Sequence, residues 1–144
     1  MAIRSGVGVS VPLRCGFLPR RNTPPVTEMD HAWTRELVAS QSSFRDANDR
    51  LRRIVTSYGF EPDQRAPFIC ECPDPVCFET VMLSLEEYDR VRNHPRWFLL
   101  AAGHEAPEER HERVVEAESG YAISEKISIA GEEAARLYRE RAAA

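Results

Sequence analysis

Three of the chain's four cysteines lie within eight residues, and their spacing is the clearest chemical signal in the sequence. Cys70, Cys72 and Cys77 form a C-x-C-x4-C motif, and His104 follows downstream after an Ala-Gly dipeptide. Three thiolates and one imidazole make a complete ligand set for a tetrahedral structural zinc ion. We therefore predict a structural Zn²⁺ cofactor bound by these four residues.

The identity of the fourth ligand is less determined than that of the cysteines. His94 stands beside a proline and His111 lies in a charged stretch, where a solvated side chain is the usual outcome. Cys15 belongs to the N-terminal segment and would have to fold back to reach the motif. His104 is favoured because it follows a short apolar run that predicts a buried strand, and the other three remain open alternatives.

The pattern favours a structural metal site over a catalytic one. The sequence lacks H-E-x-x-H and the H-x-E with P-C-x-x-C pattern, which are typical of zinc proteases and deaminases. Four protein ligands leave no open position for water, and three thiolates make zinc a weak Lewis acid. The nearby carboxylates Glu71, Asp74, Glu79 and Glu105 are interpreted as solvated loop residues. We predict that the protein is not an enzyme and has no catalytic residues.

Composition narrows the class of protein. With 144 residues and a formal net charge of −4, the chain suits one globular domain and makes nucleic acid an unlikely partner. Its apolar runs fall well short of the ~20 residues that a membrane-spanning helix requires. The segment before Glu28 lacks the continuous apolar core of a signal peptide, so we expect a cytoplasmic protein. In that compartment, clustered thiols indicate metal or redox chemistry instead of structural disulfides.

The elements that must position the ligands form an α+β pattern. We expect residues 1–28 to be a disordered tail or an over-extended start. An N-terminal amphipathic helix is predicted within residues 29–60, and a helical tail over residues 131–144. Between them, residues 61–130 are predicted to form a small mixed zinc-stabilised module of short antiparallel strands and helices.

The predicted N-terminal helix carries one apolar stripe at spacings of three, four and seven residues. Its members are Trp33, Leu37, Phe44, Ala47, Leu51, Ile54 and Val55. Packing of this stripe against the chain's own zinc module is the favoured interpretation, and a helix-docking arm is the alternative. The arginines of the helix, including Arg45, are interleaved with aspartates, so they are interpreted as a solvated face.

Within the module, the pattern predicts short elements around the cysteine loop. Residues 62–67 are interpreted as a linker, and Ser84 with Glu87 forms a capping box that starts a helix. The remaining predictions are a strand at 68–70, a returning strand at 78–83, the helix at 85–93, a buried strand at 97–100, and a hairpin turning at 119–120. A helix over residues 107–118 is the competing assignment for the first arm of that hairpin.

The same residues carry a resemblance. Phe68, Cys70, Glu71, Cys72, Cys77, the run Glu87–Arg92 and Gly103-His104 follow the pattern F-x-C-E-C…C…E-Y-x-x-V-R…P-G-H, except that Ala102 replaces the usual proline. The chain thereby resembles, over most of residues 44–130, a group of small uncharacterised bacterial proteins. The resemblance supports the boundaries of the module and the four-ligand set, and it implies no activity.

These features lead to a functional prediction of a non-catalytic zinc-binding module that serves as a protein-interaction or regulatory adaptor. The partner is expected to be another protein, bound through the helix at residues 30–56. The alternative is a thiol-based switch, in which oxidation of the cysteines ejects zinc. A nucleic-acid-binding regulator is a weaker alternative.

Overall fold

The computed structural model describes residues 27–105 and 110–144. Over these ranges the chain forms three helices and two small antiparallel sheets, so the predicted α+β class is confirmed. The elements are α1 (Glu28–Ser57), β1 (Arg65–Ile69), β2 (Thr80–Ser84), α2 (Leu85–Arg92), β3 (Trp97–Ala101), β4 (Glu112–Ala117), β5 (Tyr121–Lys126) and α3 (Ser128–Ala143). No helix in the described ranges is both long enough and apolar enough to cross a membrane.

The first sheet is the hairpin that leads into and out of the cysteine loop. β1 pairs antiparallel with β2, and Ile69 lies opposite Thr80 at the end next to the loop. Pairing begins at Arg65, so the predicted linker over 62–67 is shorter than expected. The capping box is confirmed: the Glu87 amide donates to Ser84 Oγ at 3.1 Å, and the Ser84 amide donates to the Glu87 carboxylate at 2.8 Å. Both bonds satisfy amides at the start of α2 that have no partner within the helix.

The second sheet has the order β3-β5-β4, with β5 in the centre, and both β3 and β5 contribute buried residues to the core. Every residue of β3 after Trp97 is buried, as expected for a strand covered on both faces. The predicted hairpin is confirmed, since residues 112–117 form a strand where a helix was the alternative. Leu85, Tyr88 and Val91 of α2 pack into the same core, and so do the three cysteines.

The buried face of α1 differs from the predicted apolar stripe. Trp33 is 57% exposed and Ile54 51% exposed, whereas only Leu51 and Val55 of the stripe pack against the main core. The buried positions are instead mostly polar: Thr34, Val38, Gln41, Ser42, Arg45 and Asn48. This face lies over the end of β1 and the cysteine loop, where main-chain groups must find hydrogen-bond partners. Polar side chains at helical spacing supply those partners.

Arg45 lies on the buried face of α1, although the sequence predicts a solvated side chain. Its guanidinium is buried, donates to the carbonyls of Pro95 at 3.0 Å and His94 at 3.2 Å, and lies 4.5 Å from the centre of the Phe98 ring. The interpretation of Arg45 as solvated is therefore wrong. Because it is enclosed, Arg45 cannot contribute to a nucleic-acid-binding surface.

The C-terminal helix α3 begins at Ser128 and packs against α1. Val38, Phe98, Ala130 and Ala134 form a second, smaller apolar cluster between the two helices and β3. Gly131 allows the start of α3 to lie close to the end of β5, because a Cβ atom there would lie 2.6 Å from the carbonyl oxygen of Lys126. α3 therefore belongs to the folded body together with α1.

Candidate metal centre

The end of β1 places the first two cysteines on the same side of the chain. The Cys70 amide donates to the carbonyl of Glu79 at 2.9 Å, which continues the hairpin by one residue. The amide of the next residue, Glu71, donates instead to the carbonyl of Leu99 on β3, at 2.7 Å. In an extended chain the side chains of residues i and i+2 point to the same face, and the side chain between them points to the opposite face. The thiols of Cys70 and Cys72 can therefore face the same site, while Glu71 between them faces away from it.

A tight turn then returns the third cysteine. Asp74 Oδ1 accepts from the Val76 amide at 3.0 Å, and the Asp74 carbonyl accepts from the Cys77 amide at 3.2 Å. Aspartate is favoured in such turns because its side chain bonds to the main chain two residues later. Cys77 is thereby buried within the core, while Val76 beside it stays exposed.

The fourth residue of the cluster, His104, follows β3 of the second sheet. The His104 amide donates to the carbonyl of Ala101, the last residue of β3, at 3.0 Å. Gly103 has a φ of +86°, a conformation that other residues rarely adopt. The turn brings His104 Nδ1 to 3.4 Å from Cys77 Sγ and 3.7 Å from Cys70 Sγ. On the far side of the ring, Nε2 lies 3.5 Å from a carboxylate oxygen of Glu79.

The four ligand atoms fit one small ion. The Cys70, Cys72 and Cys77 sulfurs and one nitrogen of His104 all lie within 4.8 Å of one another. Around tetrahedral zinc, with bonds of about 2.3 Å to sulfur and 2.0 Å to nitrogen, sulfur and nitrogen are about 3.5 Å apart and two sulfurs about 3.8 Å apart. The two sulfur–nitrogen distances in the cluster, 3.4 and 3.7 Å, bracket that value. The cluster can hold a metal ion, and coordination through Nδ1 would leave Nε2 facing the Glu79 carboxylate at 3.5 Å.

The alternatives for the fourth ligand lie elsewhere. His94 is exposed and stacks on Trp97, with ring centres 3.6 Å apart. His111 is partly buried and does not belong to the cluster. Cys15 lies outside the described residues.

Comparison of the chain with protein-family models, curated proteins and solved structures finds no match.

Burial favours the protonated form of two of the three thiols, those of Cys70 and Cys72. Burial raises the pKa of the Cys70 thiol to about 12, although the amides of Ala101 and Cys72 donate to its sulfur and partly oppose the rise. Burial also raises the pKa of the Cys72 thiol, and the amide of Asp74 opposes that rise. A metal ion offsets the charge of the thiolates, so binding must release protons. All three cysteines are free thiols.

The cluster is supported by a polar network that sequence reasoning missed. Glu71 is only 2% exposed, so its interpretation as a solvated loop carboxylate is wrong, whereas Asp74 and Glu79 are exposed as expected. One Glu71 carboxylate oxygen accepts from Asn48 Nδ2 and the other from the Leu99 amide, both at 2.9 Å. The Glu71 carboxylate thus links α1 to β3, and in the sequence Glu71 lies between Cys70 and Cys72 of the cluster.

Two amide side chains of α1 complete this network. Asn48 forms a two-way pair with Ile69: Nδ2 donates to its carbonyl at 2.8 Å, and Oδ1 accepts from its amide at 2.7 Å. Seven residues earlier, two turns back on the same face of the helix, Gln41 Nε2 donates to the Glu71 carbonyl at 2.9 Å. The signal in the sequence is this seven-residue spacing of Gln41 and Asn48, which places two amides on one face. A search for apolar periodicity does not detect that spacing.

Proposed function

We propose that the chain is a small module built around one structural zinc ion, held by Cys70, Cys72, Cys77 and His104. The observation that carries the proposal is the convergence of their four ligand atoms within 4.8 Å. Soft thiolate ligands favour zinc over magnesium or calcium, and three thiolates with one imidazole form a common structural zinc set. When bound, the ion joins segments that are up to 34 residues apart in sequence.

A structural role is favoured over a catalytic one by the ligand set. Four protein ligands fill a tetrahedral shell and leave no position for a water molecule or substrate. It is also favoured over a redox switch, because all three cysteines are buried and oxidation requires access to a thiolate. Reduced thiols of this kind suit a cytoplasmic protein.

The adaptor role rests on the outward face of α1. Met29, Trp33, Ile54 and the C-cap residue Tyr58 are large hydrophobic side chains that remain mostly exposed. They lie on one side of α1, two near each end of the helix, and exposed hydrophobic side chains on a helix whose other face is anchored suit contact with another protein. An Ile54→Ser variant is expected to capture less of a partner from cell extract than wild type, while exposed Arg53→Ser captures as much. Equal capture by Ile54→Ser and wild type would count against this role.

Metal analysis of purified protein tests the central claim. Wild type prepared without chelators is expected to contain about one equivalent of zinc, and Cys72→Ser is expected to lose most of it. Cys15→Ser is the matched control, because it removes the one cysteine outside the cluster and should leave the zinc content unchanged. Less than about half an equivalent in wild type would overturn the proposal.

A further inference from the structure

The large exposed side chains on the outward face of α1 are arranged symmetrically along the helix. In chain order they are Met29, Trp33, Ile54 and the C-cap residue Tyr58. The first and the last are equally far in sequence from one central point, between residues 43 and 44, and the two inner residues are also equally far from it. When two such helices run antiparallel about a two-fold axis, each of these side chains lies opposite one of the same set on the other copy.

Small side chains occupy the middle of the same face. Ser40 and Ser43 are exposed and Ala47 is partly buried. They follow each other at spacings of three and four residues, which keep side chains on one side of a helix. Small residues in the middle allow the axes of two helices to approach to about 8 Å, the near end of the usual range. A second helix can therefore lie along the whole length of this face.

Two opposite charges on this face select the direction of a second helix. Glu36 and Arg50 are both exposed and lie on either side of the central point. They are about 21 Å apart along the helix, so they cannot pair within one copy. In an antiparallel arrangement Glu36 of each copy lies near Arg50 of the other, whereas a parallel arrangement brings like charges together. The charges therefore favour the antiparallel arrangement.

We propose that the outward face of α1 binds a second copy of this chain, with the two α1 helices antiparallel. This inference rests on the adaptor role proposed above for the same face, and it names the partner. A helix of 30 residues is about 45 Å long, and a contact strip about 10 Å wide covers about 450 Å² of each copy. That area lies at the low end for specific interfaces, so we expect a Kd of about 10–100 µM.

Sedimentation equilibrium of the full-length, zinc-containing protein measures self-association over about 5–500 µM in ~0.15 M salt. The weight-average mass is expected to rise from 16.4 kDa towards twice that value as the concentration increases. A constant mass of 16.4 kDa up to about 500 µM would overturn the proposal. The adaptor role fails on a separate result, namely equal capture of a partner by Ile54→Ser and wild type.

Charge reversal tests the antiparallel pairing. Glu36→Arg and Arg50→Glu each replace two attractions in the dimer with two repulsions, so each is expected to weaken association about tenfold. The double variant exchanges the charges and should associate within about threefold of wild type. Arg53→Glu is the matched control, because Arg53 is exposed on the same helix but outside this face, and it should associate as wild type does. A double variant that associates no more tightly than the single variants would overturn the proposal. Zinc content and circular dichroism of the same samples show that each variant is folded.

Discussion

Replacing Asn48 with alanine is expected to destabilise the fold by about 3–5 kcal/mol, although the residue does not belong to the metal cluster. Asn48 is fully buried and makes three hydrogen bonds, two with the main chain of Ile69 and one with the Glu71 carboxylate. The substitution removes all three and leaves their partners buried. Few single side chains on α1 satisfy as many groups.

The magnitude follows from the kinds of bond that are lost. The two bonds with Ile69 are between neutral groups and contribute about 1 kcal/mol each, while the bond with the Glu71 carboxylate contributes about 2 kcal/mol. Partners left without a hydrogen bond in the interior raise the cost, and partial entry of water lowers it. The sum is a large part of the ~5–15 kcal/mol by which a domain of this kind is stable.

Urea unfolding followed by circular dichroism measures the effect, with free zinc held constant because a ligand of the folded state adds to apparent stability. Arg50→Ala is the matched control on the same helix, since Arg50 is exposed and donates only within α1, to the carbonyl of Asp46. The control is expected to change the free energy of unfolding by less than about 0.5 kcal/mol. Asn48→Ala should lower the urea midpoint with an unchanged slope. A loss below about 1 kcal/mol would refute the reasoning that this polar face holds the cysteine loop.

Two further predictions concern the packing of α3 and the pH dependence of stability. Gly131→Ala is expected to destabilise the fold by about 1–3 kcal/mol in the same assay, because the new Cβ would collide with the Lys126 carbonyl, whereas Gly120→Ala meets nothing within 4 Å and should be nearly neutral. At Asp49, burial raises the pKa, but hydrogen bonds from Arg92 and Tyr88 outweigh it and hold the pKa below its usual value. The stability that ionised Asp49 gains from Arg92 and Tyr88 is therefore present above the unfolded-state pKa, about 4, and is lost as the pH falls through the folded-state pKa. Asp49→Asn should be less stable than wild type by about 2 kcal/mol at pH 7, with the difference shrinking below pH ~4; a constant difference down to pH ~2 would contradict it.

Short-range features were predictable because residue types and close spacing determine them. The strand before the cysteines, the turn around Asp74 and the capping box at Ser84 each depend on a few consecutive residues. The C-x-C spacing by itself places both thiols on one face of an extended chain and Glu71 on the other. The pairing of the Glu71 amide with Leu99 of β3 was not predictable, because the two residues are distant in sequence.

The orientation of α1 could not be predicted from apolar periodicity, for a physical reason. That periodicity identifies the buried face only when the helix packs on other apolar side chains. α1 instead covers main-chain groups at Ile69 and Glu71, and these require donors and acceptors. The consequence is a buried polar face and an outward face that keeps Trp33 and Ile54 in solvent. Glu71 was misinterpreted for the same reason, because its partners come from distant elements.

The same face of α1 contacts both segments that deliver ligands to the cluster. Gln41 and Asn48 hold the main chain at Ile69 and Glu71, beside the first cysteines. Between them on the helix, Arg45 holds the carbonyls of His94 and Pro95, just before the strand that leads to His104. A bound ion would join those two segments at one end, and the helix already joins them at the other. Protein contacts that do not involve a metal therefore hold both segments, and a bound ion would add its main constraint at the loop from residue 72 to residue 77.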